Sequence, residues 1–337
     1  MPVDLVGVTG DAAQGGLNYQ AYGDVAQRFL NSRGDVGSMR SLAVLQKDEW
    51  DQYDQAVVQI AQERFSFISD LMGAGLRYGL SNPMGVMSVT WDRISDMDPA
   101  QIDMTAESVD VRDRVTYEQE SIPIPIIHKG FRLNLRHLEA SRSQGLALDT
   151  AHAMVATRNV VETIEDTAIK GTFATGTGGA GSLYGLTNYP HRNTYTLGGA
   201  WTGRTAVQIK DDVLSMMQAA RDDFMYGPYK LYLPTAYQQK MDDDYDTTTS
   251  SGRTIRERLL QIEGIQSIGT NHFLPANNVV LVQMTSDVEE VIDGIQPRLI
   301  EWQSHGGMVF EYKVLAIMPV RFKRDGNNSC GIVHGAS

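Results

Sequence analysis

Few residues in this chain have the types and spacing that chemistry requires. The run "GTGGAG", Gly176 to Gly181, has the glycine spacing of a dinucleotide-binding fingerprint. That fingerprint works only where a strand precedes it and a helix follows, so that the pyrophosphate meets the helix N-terminus. Here a helical pattern precedes the glycines and none follows, which reads as a flexible loop. Asp242, Asp243, Asp244 and Asp246 form one dense acid cluster, but they lack the order of acids and glycine that wraps a calcium ion. A solvated loop is the reading there. The seven histidines, His128, His152 and His305 among them, include no HExxH pair and no clustered partner at ligand spacing. The single Cys330 excludes an intramolecular disulfide framework and a cysteine zinc cluster. No catalytic, cofactor-binding or metal-ligating set is expected, and no cofactor.

Composition narrows the class further. With 337 residues, 42% hydrophobic and 21% charged, the chain is expected to fold as one large or two smaller globular units. The net charge of -12 argues against a nucleic-acid clamp, which gains affinity by neutralising phosphates with Lys and Arg. No run approaches the roughly 18 apolar residues of a spanning helix, and the first residues lack the blocks of a signal peptide. A protein that stays in a cytoplasm, or in something assembled there, is expected.

The elements that would position any site are more informative. Residues 1–45 show little periodicity and read as an extended arm. Over 46–80, Trp50, Tyr53, Val57, Ile60, Phe67 and Leu71 recur at steps of three and four, with Arg64 in one slot, and Gly73 and Gly75 end the run. This predicts one amphipathic helix. The stretch "TWDRISDMDPAQIDMTAESVDVRDRVTYEQESIPIP", Thr90 to Pro125, alternates like two strands, is dense in acids and offers almost no large apolar face. Residues 149–170 predict the clearest helix, with Asp149 or Thr150 as cap and Gly171 as the left-handed stop. Met154, Val161 and Ala168 repeat at seven with Ala151, Val155 and Ile164 beside them, which marks the expected buried stripe. Beyond the glycines come a helix in "AVQIKDDVLSMMQAARDDFM", a strand in "YKLYLP", a helix in "TIRERLLQI", and strands in "NNVVLVQM" and "MVFEYKVLAIMPVRFKR". The fold class is α+β.

The succession "FRLNLRHLEASRSQG", long capped helix, "IKGT", "LYGLTNYP", "GPYKLYLPTAYQQKM" and the closing "DVEEVIDGIQPRLIEWQSHGGMVFEYKVLAIMPVRF" resembles tailed-bacteriophage major capsid proteins and encapsulins, the Hong Kong 97-type capsid superfamily. The resemblance spans roughly Leu45 to Lys323. It implies an extended loop over 84–128, a peripheral domain from 129–184 and 292–337 built on the spine helix 149–170, and an axial domain over 185–291. It implies that the ribbon lies across a neighbouring copy, with Trp91, Arg93, Asp96, Asp98, Asp103, Glu107, Asp110, Arg112, Asp113, Arg114, Glu118 and Glu120 at the seam. An isolated hairpin is marginal in water, so such a ribbon needs a partner surface. The resemblance further places Asp242, Asp243, Asp244, Tyr245, Asp246 and Arg253 near the capsomer axis, where repeated aspartates would line an acidic pore mouth.

Two shell readings remain: a phage capsid in the virion, packed with double-stranded DNA and assembled in the host cytoplasm, or an encapsulin enclosing cargo. The long arm before the first helix favours the phage. The chain has no built-in scaffold extension of about 100 residues, so a separate scaffolding protein is expected, with a portal and decoration proteins as further partners. Some shells of this family join subunits by an isopeptide bond from an extended-loop lysine. The ribbon from Thr90 to Pro125 has Arg93, Arg112 and Arg114 but no lysine, so noncovalent contacts are expected.

Overall fold

The long helix sets the frame. A computed structural model of the protein describes residues 57–61, 64–97, 100, 102, 104, 114–136, 140, 151–173, 182–245 and 252–337. Its elements in chain order are α1 (Phe67–Gly73), β1 (Arg77–Gly79), β2 (Ser88–Ile94), β3 (Tyr117–Pro123), β4 (Ile127–Asn134), α2 (Ala151–Lys170), β5 (Thr172–Phe173), β6 (Ser182–Leu183), β7 (Asn193–Thr196) and α3 (Ala206–Asp222). There follow β8 (Tyr229–Pro234), α4 (Gln238–Met241), α5 (Ile255–Leu260), β9 (Ile265–Asn271), β10 (Asn278–Gln283), β11 (Glu289–Asp293), β12 (Ile295–Ser304), β13 (Val309–Ile317), β14 (Val320–Phe322) and β15 (Ile332–Ala336). The α+β class holds.

The α2 helix, 20 residues and so about 30 Å long, lies on the three-stranded sheet β12-β13-β4. Leu299, Phe310, Tyr312 and Val314 face it from that sheet in one apolar cluster with Ala153, Ala156, Val160 and Ile164. Gly171 ends the helix at φ +73, where a Cβ would stand 2.5 Å from Asn188 and 2.7 Å from the Leu183 carbonyl. The expected stripe is corrected in part. Val161, Ile164 and Ala168 are buried, but Met154 is half-buried, and Ala151 and Val155 are exposed, Val155 to 48%. The buried face runs through Ala153, Thr157, Val160, Ile164 and Glu165 instead. Two polar residues on that face disguised it. Thr157 satisfies its hydroxyl by donating to the Ala153 carbonyl at 2.8 Å.

A second core fills the five-stranded sheet β7-β15-β10-β8-β9, where α3 lays Ile209, Val213, Met216 and Met217 on Leu231, Leu233, Leu281 and Val333. Thr205 and Gln208 close a capping box at its start. The run Leu231–Leu233 is buried on both faces, as the sequence pattern required.

The single helix expected over 46–80 is also corrected. Residues 57–61 are helical, the chain leaves the helix at Phe65 and Ser66, α1 begins at Phe67, and residues 77–79 are a strand that pairs in parallel with β11. Trp50, Tyr53 and the arm 1–45 lie outside the described residues, as do Asp149, Thr150 and the loop 176–181. Among the described residues no helix is long and apolar enough to cross a membrane.

Candidate assembly surface

β2 and β3 form an antiparallel ribbon in register from Ser88↔Pro123 to Ile94↔Tyr117. Strand alternation gives it two unlike faces. On one face Val89 and Ile122 are buried in a small cluster with Ile124, Leu183, Ile292 and Ile317. The same face carries Trp91 and Arg93, opposite Glu120 and Glu118.

These four residues are held by their own chain. The Arg93 side chain is 10% exposed and donates from Nη1 to the Asp325 carbonyl at 3.0 Å and to Asn328 Oδ1 at 2.9 Å. It also pairs with Glu118, whose carboxyl it holds below the usual range by hydrogen bond and charge. Glu120 receives Arg324 Nε at 2.5 Å, and Arg324 Nη1 reaches Asn328 Oδ1 at 2.6 Å and His191 Nε2 at 2.7 Å. His191 therefore accepts and is neutral; burial first, and Arg324 second, hold its pKa down. Trp91 lies 5.5 Å from the Arg321 guanidinium, which stacks on Tyr78 at 4.3 Å and pairs with Glu290. Asp96 takes a 3.3 Å bond from Asn327. The ribbon's base is thus clamped to the turn 324–328. A cleft of about 260 Å³ remains beside it, walled by Trp91, Tyr184, Tyr189, His191, Phe322 and Arg324.

The other face, and the described residues past Asp96, expose apolar side chains. Ile94 and Tyr117 stand opposite each other and exposed, Met87 and Met97 are exposed, and Ile102 and Met104 are fully exposed. Arg114 is exposed as well. Asp98, Asp103, Glu107, Asp110, Arg112 and Asp113 lie outside the described residues.

The acid loop is less bare than its composition suggests. Asp242 pairs with Arg256 at 3.2 Å and Asp243 with Lys240 at 3.0 Å. Asp244 bridges to Thr254, the Tyr245 amide donates to the Arg253 carbonyl at 2.9 Å, and Tyr245 lies under Arg258. Arg253 itself reaches Gln261 at 3.3 Å. Asp246 is outside the described residues.

Chemistry of other kinds finds little footing. Among the described residues no group of three or more His, Cys, Asp or Glu could hold a metal ion. The nearest described elements on either side of the glycine run, β5 and β6, pair antiparallel, and a strand rather than a helix follows it among the described residues. His152 stacks on Phe131 at 6.2 Å and His305 meets Ser304 at 3.0 Å. Burial pushes the Cys330 thiol up to about 12. The sequence reading missed His334, set between Arg192 at 3.2 Å and Asn278 at 2.7 Å, where burial and Arg192 bring it down to about 4. It also missed Arg324, which no local spacing marks.

A spine helix on a three-stranded sheet, a separate five-stranded sheet and a projecting two-stranded ribbon are the parts of the Hong Kong 97-type fold of phage capsids and encapsulin-like shells. The chain is similar to the virus-like particle from Pyrococcus furiosus, with TM-score 0.62 and 18% identity over 85% of this chain and 98% of that one. It is similar also to the capsid of Myoviridae Phage XM1, with TM-score 0.58 and 13% identity over 81% and 92% of the two chains. The Type 1 encapsulin shell protein EncA of Myxococcus xanthus (strain DK1622) is 21% identical over 237 residues, 70% of this chain and 74% of that protein. The chain belongs to the family described as a family of unknown function (DUF6260), whose model matches residues 40–335.

Proposed function

We propose that this protein is the major capsid subunit of a tailed bacteriophage, self-assembling as pentamers and hexamers into an icosahedral shell around double-stranded DNA. The ribbon carries this reading: its base is clamped to its own chain while its far end exposes Ile94, Met97, Ile102, Met104 and Tyr117 without cover. A ribbon so built fits a second copy of the chain. Residues 129–184 and 292–331 then act as the peripheral domain and 185–291 as the axial domain; the expected boundary at 337 is corrected, because β15 (Ile332–Ala336) pairs with β7 and β10 in the axial sheet. The loop from Asp242 to Arg253 lies toward the capsomer axis. Scaffolding protein, portal and decoration proteins are the remaining partners, and the virion capsid is the location.

A second reading, an encapsulin-type compartment holding cargo protein, is favoured by the similarity to the encapsulin shell protein EncA. Size-exclusion chromatography and negative-stain microscopy of the expressed chain test both. Closed particles in the megadalton range support a shell, and a monodisperse species near 37.2 kDa overturns it. Nuclease-protected DNA in particles from the native source separates the phage from the compartment, whose contents are protein.

A further inference from the structure

Two carboxyls lie buried beneath α1. Glu165, on the hidden face of α2, accepts the Ser66 amide at 2.7 Å and the Ile68 amide at 3.1 Å, and Asn271 approaches its other oxygen at 3.4 Å. It caps α1 across 97 residues of sequence, a task the Ser66 side chain does not perform. Glu289, at the start of β11, is fully buried, and neither of its oxygens has a hydrogen-bond partner. The strand alternation turns Glu289 to the same side as Val291, which shares a cluster with Phe67, Ile68 and Leu71 of α1. Glu290 points the opposite way, to Arg321 and Lys323.

Among the described residues, the charged and titratable groups around Glu289 offer it no cation. From α1 comes Asp70, a like charge, itself held by Lys230 at 2.7 Å and by the Tyr232 hydroxyl at 3.0 Å from β8. From β1, Arg77 faces Asp293 at 3.9 Å. Cys330 is near enough for the two to act on each other, and its thiol is turned to the His191 carbonyl at 3.2 Å. An ionised carboxylate in this setting has no exposed surface and no hydrogen-bond donor among the described residues, so the neutral acid is the form the closed structure accepts.

We propose that α1 is a proton-linked latch: it closes over Glu289 only while that acid is neutral, and lifts from α2 and β11 as Glu289 ionises. Glu165 is the mechanical tie and Glu289 the titrating group. Burial, and then Asp70, raise the Glu289 pKa well above the ordinary carboxylate range. The closed state thus holds a proton that the open state releases once the pH exceeds that range. Closure is favoured at acid pH and lost as pH rises toward the raised pKa, by up to about tenfold in the opening equilibrium per pH unit for one proton. Donors at Ser66 and Ile68 offset burial at Glu165, which leaves it the smaller contributor to the slope. The inference rests on the subunit's own packing and does not depend on the shell reading.

Hydrogen exchange of the full chain, followed by mass spectrometry on the peptide covering α1 between pH 5.5 and 8.5, tests it, with α3 as internal reference and intrinsic exchange rates corrected. The expected result is opening of α1 that rises with pH in the natural protein and loses most of that slope in Glu289→Gln, with greater protection at pH 8.5. Glu289→Leu, apolar and similar in size, carries the same expectation should the amide disturb folding. Glu165→Ala should open α1 at every pH while keeping most of the slope. A natural protein with flat opening, or a Glu289 variant that retains its full slope, overturns the latch.

Discussion

The spine helix and the ribbon are both rich in charge, yet α2 buries nine side chains in its own chain whereas β2 and β3 between them bury only Val89 and Ile122. The difference lies in continuity. Residues recurring along α2 make one unbroken stripe that a single sheet can cover, and the polar residues within it are satisfied locally or by α1. The ribbon offers one small patch at its base, then exposed apolar side chains spaced among acids. An element whose hidden face is continuous is completed inside the chain; one whose apolar residues stay in water is completed by something else.

Breaking the helix should have the larger effect. Val161→Asp places a charge in a fully buried site at a cost of about 3 kcal/mol or more, and soluble folded protein should be lost, as circular dichroism and the soluble fraction would report. Removing residues 97–115 and closing the gap with a Gly-Ser linker should leave the fold and its melting temperature nearly intact but abolish closed particles in size-exclusion chromatography. Normal particles from that deletion would contradict the proposed intermolecular role.

Arg324→Ala strips the clamp from Glu120, His191 and Asn328. A local loss of about 1.5 to 3 kcal/mol is expected, seen as faster hydrogen exchange in β3 with α2 unchanged. Asp242→Asn with Asp243→Asn breaks two exposed ion pairs and should cost only about 0.2 to 1 kcal/mol for each, less as salt is added, in thermal melts at two ionic strengths. The smallest expected effect is none. Particles boiled in detergent should run as one band near 37.2 kDa, because the ribbon from Thr90 to Pro125 lacks a lysine, and a covalent ladder would contradict this.

Much of this contrast was legible from residue order. The stop at Gly171, the period of α3, the apolar run of β8 and the alternation of the ribbon are local signals, and local signals survive without a structure. The break at Phe65 and Ser66 was not legible, because the group that restarts the helix is Glu165, far along the chain. The stripe on α2 was placed partly on the wrong side since Thr157 and Glu165 look like surface residues until their partners are known. Glu165, four residues after Val161 and three before Ala168, shares their helix face, whereas Glu162 and Asp166 do not. Which face of the ribbon its own chain holds was equally hidden, since that depends on a turn more than 200 residues later, whose Arg324 meets Glu120.

Among the described residues β2 and β3 form a strand ladder only with each other, so the outer edge of each pairs with no further strand. Open edges recruit further strands. The free subunit should accordingly behave as a self-associating solute with a threshold: dilute solutions hold it dispersed, and above a critical concentration ordered growth competes with amorphous clumping. Slow delivery of subunits, rather than a high starting concentration, is then the condition that favours regular particles.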